Sequence, residues 1–221
     1  MLQTIEVNPA GDARATVIIL HGLGADGTDF LSFADEMRLT GAGPVRWVFP
    51  RAPERAVTIN NGHRMRAWYD ILGIDLVRRE DETGLRESFA QVHALLDREV
   101  ARGVPAERIV LGGFSQGSAI ALGAGLRYGQ RLAGLVGLSG YLPLADLLTA
   151  ERHAANHTTP LFLGHGRNDG MVPLTRGAAT RDQLLALGQP VEWHDYPMEH
   201  SVCGEEVQHL QRWLLTRLAP G

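Results

Sequence analysis

The chain has 221 residues, 44% of them hydrophobic, and a formal net charge of −4. That is enough for one compact core and too acidic for a nucleic-acid footprint or a polybasic membrane patch. All 21 basic residues are arginine, which excludes a Walker A loop, a Schiff-base lysine and a kinase-type strand lysine, and the single Cys203 excludes an intramolecular disulfide and a thiolate metal cluster.

The opening Met1-Leu2-Gln3-Thr4-Ile5-Glu6 lacks a charged leader followed by an apolar stretch. No run approaches the ~18 apolar residues of a membrane span. The expectation is a soluble cytoplasmic protein, one domain over residues 1–221, without stable membrane insertion. Thr16–Leu20 is the first short apolar run and reads as a strand. Gly22-Leu23-Gly24-Ala25-Asp26-Gly27 follows it directly and matches the glycine pattern of a dinucleotide-binding turn. Val45–Phe49 is the next strand and ends in Pro50-Arg51, so an NADP-binding oxidoreductase, with Arg51 on the 2′-phosphate, is a minor rival reading. Residues 51–79 are long and mixed, with Pro53, Asn60-Asn61-Gly62, Trp68 and Tyr69, and do not read as one regular element; such loops often line a site.

Leu85, Phe89, Val92, Leu96 and Val100 recur at helical spacing. Ile109–Gly112 is a buried strand running into Gly113-Phe114-Ser115-Gln116-Gly117 and then the small-residue stretch Ser118–Leu126. Further strands are read at Gly134–Ser139, Pro160–Gly164 and Val191–Tyr196, and a last helical pattern at Val207, Leu210, Leu214 and Leu218. This alternation predicts an α/β fold with a mostly parallel central sheet and helices on both faces, without a large lid domain. Ligands in such folds sit beyond the carboxyl ends of the strands.

The serine of Gly113–Gly117 stands where a strand turns sharply into a helix. Glycines two residues before and after it remove side chains that would clash, and the helix N-terminus faces any oxyanion formed there. The pentapeptide alone is a weak signal; partners at other strand ends strengthen it. Asp169 follows strand Pro160–Gly164 and is the candidate orienting acid. His200 follows strand Val191–Tyr196 and is the candidate general base. The order Ser115, Asp169, His200 is the one expected of α/β-hydrolases. The N–H groups of Gln116 and of Leu23 are the candidate oxyanion donors.

Rivals exist for each role. His165 also sits at a strand end, and can equally cap the turn that aims Asp169. Glu199 adjoins His200, but immediate neighbours in a loop rarely face each other. Asp182, Asp195, His93, His194 and His209 fall within regular elements. Cys203 lies outside any elbow. His153 and His157 have the i, i+4 spacing of a helical metal pair but lack a third ligand, so no metal is expected. A noncatalytic module that keeps the fold is the rival from another class.

Taken together, Leu20–Gly27, Pro50-Arg51-Ala52-Pro53, Val57-Thr58-Ile59-Asn60, Trp68-Tyr69-Asp70-Ile71, Gly113–Gly117, His165-Gly166 with Asp169, and His200-Ser201 with Cys203 resemble the acyl-protein thioesterase and carboxylesterase family of small α/β-hydrolases, grouped as phospholipases/carboxylesterases. The resemblance spans nearly the whole chain. It implies a Ser115–His200–Asp169 triad, oxyanion donors at Leu23 and Gln116, and an acyl groove lined by Ile59, Trp68, Ile71, Ile74 and Met171. It further implies a serine hydrolase that needs no cofactor and cleaves carboxylic esters or thioesters of short to medium acyl chains. The alternative is an acyl-protein thioesterase or lysophospholipase acting on long chains. Its partners would be small-molecule esters or acylated proteins, and a weak homodimer. The segment Leu72-Gly73-Ile74-Asp75 with Arg78-Arg79 departs from the family pattern, which leaves chain-length preference open.

Overall fold

A computed structural model describes residues 2–73 and 80–219. The strands are β1 (Thr4–Val7), β2 (Ala15–Leu20), β3 (Val45–Pro50), β4 (Glu54–Val57), β5 (His63–Arg66), β6 (Ile109–Phe114), β7 (Gly134–Leu138), β8 (Leu161–Gly166) and β9 (Val191–Tyr196). The α-helices are α1 (Leu31–Glu36), α2 (Glu82–Ala101), α3 (Gln116–Arg127), α4 (Leu148–Glu151), α5 (Leu174–Ala186) and α6 (Gly204–Arg217). Seven strands form one sheet in the order β1-β3-β2-β6-β7-β8-β9. All its pairings are parallel except β1–β3. This is the expected α/β-hydrolase architecture, and no large lid interrupts the described residues.

Period-two alternation divides the core between the two faces of the sheet. Ile18, Leu20, Leu111, Leu161 and Leu163 pack in one cluster with Leu85, Phe89, Val92 and Leu96 of α2, the buried α3, and Leu184 of α5. Val17, Ile19, Val110 and Phe162 pack in the other with Leu210, Trp213 and Leu214 of α6 and Phe33 of α1. The central strands are covered on both faces, which is why they read as unbroken apolar runs.

Differences from the sequence reading lie at the margins. The antiparallel β1 has no fully buried residue and is held by its pairing with β3 and by Glu6, whose carboxylate receives Arg98 at 2.8 Å and Arg102 at 3.0 Å. Residues 51–73 contain the hairpin β4–β5, turned through Asn61 (φ 54°) and Gly62 (φ 75°). β8 runs on through His165 and Gly166, so His165 lies in the strand rather than the loop. β7 stops one residue short of Ser139, whose φ is 48°.

Candidate active site

Ser115 sits between β6 and α3 with φ 56° and ψ −119°, an arrangement that residues other than glycine rarely adopt. The surrounding backbone over-determines it. Ser115 N–H donates to Leu138 O at 2.8 Å, fastening the turn to the end of β7. A Cβ on Gly113 would strike the Gly117 carbonyl, and one on Gly117 would strike the carbonyls of Leu20 and His21. The two glycines therefore allow α3 to start directly behind the serine and against β2. The first N–H groups of α3 have no intrahelical acceptor and point toward the serine end of the helix.

Three loops converge on the hydroxyl. His200 Nε2 is 2.8 Å from Ser115 Oγ, and His200 Nδ1 is 2.7 Å from Asp169 Oδ2. With a carboxylate as its acceptor, Nδ1 is the protonated nitrogen, which leaves the Nε2 lone pair for the Ser115 hydroxyl. The imidazole also packs on Phe114, ring centres 4.8 Å apart. Asp169 is fixed from its other oxygen, which accepts the N–H groups of Met171 at 2.9 Å and Val172 at 2.8 Å.

The structure brings together Ser115, Asp169 and His200 as the sequence suggests, and gives His165 the buttressing place. The His165 ring is buried. Nε2 donates to Val172 O at 2.8 Å and lies 3.6 Å from Asp169 Oδ2, while burial holds the imidazole below its ordinary pKa, and so neutral. It steadies the Asp169 turn and does not reach the serine. Glu199 is exposed. Cys203 sits at the N-cap of α6. His153 Nδ1 accepts Ala155 N–H, which uses it as a turn cap, and the described residues contain no group of three or more metal-ligating side chains.

The turn after β2 carries Leu23 to the same place. A Cβ on Gly22 would lie 3.4 Å from Ser115 Cβ, so this backbone runs against the serine turn. His21, fully buried, sets its geometry. Ala52 N–H donates to His21 Nε2 at 3.0 Å; that nitrogen is therefore unprotonated, and Nδ1–H donates to Gly22 O at 2.8 Å. Burial lowers the His21 pKa and favours this neutral form. At the glycine turn the carboxylate of Asp26 holds both Arg51 and Arg66 at 3.0 Å.

A cavity of about 210 Å³ opens beside Ser115 and His200, walled by Leu23, Ile59, Ile71, Met171 and Val172 with Tyr69, Tyr141 and Gln116. Of the five expected groove residues, Ile59, Ile71 and Met171 line it, and Ile74 lies outside the described residues. Trp68 requires correction. It is 0% exposed, its indole N–H donates to His21 O at 2.9 Å, and it packs in the core cluster under the sheet's α2–α3 face. The backbone turns its neighbour Tyr69 toward the cavity instead. Gln116 pins that segment: its side chain accepts Trp68 N–H and donates to Tyr69 O, both at 2.8 Å. Sequence reasoning missed Tyr69 and Tyr141 as cavity residues and the buried role of His21. For Tyr141 the available signal was its position two residues past Ser139, at the carboxyl end of a strand.

The phospholipase/carboxylesterase family model matches residues 3–218. Among curated proteins, acyl-protein thioesterase 1 of Yarrowia lipolytica is 40% identical over 205 residues, covering 90% of each chain. Its namesake in Schizosaccharomyces pombe is 38% identical over 97% of this chain and 96% of its own. Among solved structures, Arabidopsis thaliana SOBER1 superposes with a TM-score of 0.88 at 31% identity, over 93% of this chain and 100% of that one. Zea mays acyl-protein thioesterase 2 gives a TM-score of 0.85 at 30% identity, over 99% and 100%.

Proposed function

The chain belongs to the phospholipase/carboxylesterase family, and from that premise we propose that it works as one catalytic domain, a serine hydrolase of acyl esters and thioesters with Ser115 as nucleophile. His200 takes the serine proton through Nε2 as Ser115 Oγ attacks the acyl carbonyl, then returns it to the departing alcohol or thiol. Asp169 holds the imidazole tautomer and stabilises its charged form. The N–H groups of Leu23 and Gln116 receive the oxyanion, and water repeats the cycle on the acyl-enzyme. The observation that carries this reading is the continuous line Ser115 Oγ–His200–Asp169, at 2.8 and 2.7 Å, beside an apolar cavity.

The cavity, about 210 Å³ among the described residues, lies below the roughly 300–1,000 Å³ usual for drug-sized ligands. That supports short to medium acyl chains. The names of the thioesterase relatives support acylated proteins as substrates alongside small esters. No described helix is long and apolar enough to cross a membrane.

A fluorophosphonate probe tests the assignment. It should label the protein once, on the peptide carrying Ser115. Ser115→Ala should abolish labelling and lower turnover roughly 10⁶-fold with the fold intact, and Asp169→Asn should lower it about 10⁴-fold. Labelling at another residue, or equal small losses in the two variants, would overturn it.

A further inference from the structure

We propose that Tyr141 sets the acyl-chain length the enzyme accepts, as the partition between the cavity beside Ser115 and a second cavity of about 430 Å³. Tyr141 lines both. The inference rests on the hydrolase reading above, because it concerns which substrates reach Ser115.

The cavity has a mouth and a floor. Met171 is 73% exposed and Ile59 40%, whereas Tyr69 and Tyr141 are 3% and 5% exposed. A leaving group borne on a protein cannot enter so small a space, so the acyl chain occupies it and runs from the mouth toward the tyrosine pair. The floor it meets is rigid. The two phenols are hydrogen-bonded to each other, oxygen to oxygen, at 2.6 Å. Burial raises the pKa of both, so one stays the donor and neither becomes a phenolate. The Arg176 guanidinium lies on one face of the Tyr141 ring, 3.7 Å from its centre, and the next backbone N–H, of Leu142, donates to Thr180 Oγ1 of α5 at 2.9 Å. Tip, face and backbone are all held, which removes the rotamer freedom that would let the ring swing aside.

On the Tyr141 side the second cavity is bordered by Leu142, Leu144 and Leu147, by the carboxylates of Glu80 and Asp146, and by Ala179 and Arg176 of α5. Its leucines offer a surface that further methylenes can bury against. Truncating Tyr141 joins the two spaces.

The experiment is a series of p-nitrophenyl esters from acetyl to palmitoyl, read as kcat/KM. Each additional methylene that gains burial contributes about fourfold. The wild type should decline beyond medium chains. Tyr141→Ala should move the optimum to longer chains and raise the long-to-short ratio by about tenfold or more, as two or three methylenes would. Tyr141→Phe, which keeps the ring, should retain the wild-type optimum. In the Tyr141→Ala background, Ala179→Phe should fill the second cavity and reverse the gain; alone it should leave the wild-type profile in place. Tyr141→Leu serves if the alanine variant does not fold. An unchanged optimum in a truncated variant that still takes the fluorophosphonate label, or the same shift in Tyr141→Phe, overturns the proposal. A wild type that neither hydrolyses the acetyl ester nor takes the label overturns the hydrolase reading instead.

Discussion

His21 is fully buried and does not line the cavity beside Ser115, yet one peptide plane depends on it. Gly22 O and Leu23 N–H belong to the same trans peptide unit and point in opposite directions. Holding Gly22 O on His21 Nδ1 at 2.8 Å therefore aims Leu23 N–H away from His21. Losing that anchor frees the peptide to rotate, and misaiming the proposed oxyanion donor would cost about 10²-fold in kcat. His21→Ala should lower kcat on that scale with KM little changed; a loss confined to KM, or none, would show that Leu23 is aimed without it. The linkage has a definite sign. The folded pKa lies below the ordinary 6.5, so the contribution to stability is present above pH 6.5 and is lost as pH falls through the folded value, when protonated Nε2 can no longer accept Ala52 N–H. At this scale the sequence was legible where chemistry is written locally. The serine elbow and the acid and base at strand ends each announce themselves within a few residues. Tyr141 does not, because its partner Tyr69 is 72 positions away. Trp68 misleads for a related reason: it and Tyr69 sit in a bend beyond β5, and only the fold decides which of the two faces the cavity.

Among elements, the contact between α3 and the end of β2 governs the site, and Gly117 governs that contact. A methyl group there would meet the Leu20 and His21 carbonyls, which are fixed backbone. Gly117→Ala must push α3 outward or break its first turn, and either moves Ser115 away from His200. The expected result is a loss of melting temperature equivalent to about 1–3 kcal/mol, as for other overpacked sites, together with much slower fluorophosphonate labelling. A variant that is as stable as wild type and labels as fast would mean the helix start is not fixed by this contact. The buried parallel strands were legible as elements because apolar runs and flanking turn residues coincide. β1 and the β4–β5 hairpin were not, since charged and half-buried residues fill them. Their pairing is decided by neighbours: Thr4–Val7 zips onto Trp47–Pro50, and Glu54–Val57 folds back on His63–Arg66. Only Asn61-Gly62 signalled the turn between the hairpin strands.

The stability of the whole molecule is tied to pH through a side chain that the proposed reaction does not use. Glu206 in α6 is 0% exposed and lies against Gly164 of β8; neither carboxylate oxygen has a partner among the described residues. Burial raises its pKa from 4.5 to about 8. Between these values the folded chain keeps a proton that the unfolded chain has released, so this group's contribution is complete below pH 4.5 and shrinks as pH rises to about 8. The slope in that window is at most about 1.4 kcal/mol per pH unit. Other groups act in the opposite sense. Asp195 and Glu151 are held below their ordinary values chiefly by hydrogen bonds from Arg167 and Arg86, and their contribution is lost on acidification. Glu206→Gln separates the two sets, because glutamine fills the same space without a titrating proton. The melting temperature of the variant relative to wild type should climb steadily between pH 5 and pH 8 and then level off. A constant offset across that range would mean that Glu206 is ionised throughout, which would require the buried carboxylate to have a cationic partner or enough water to solvate it.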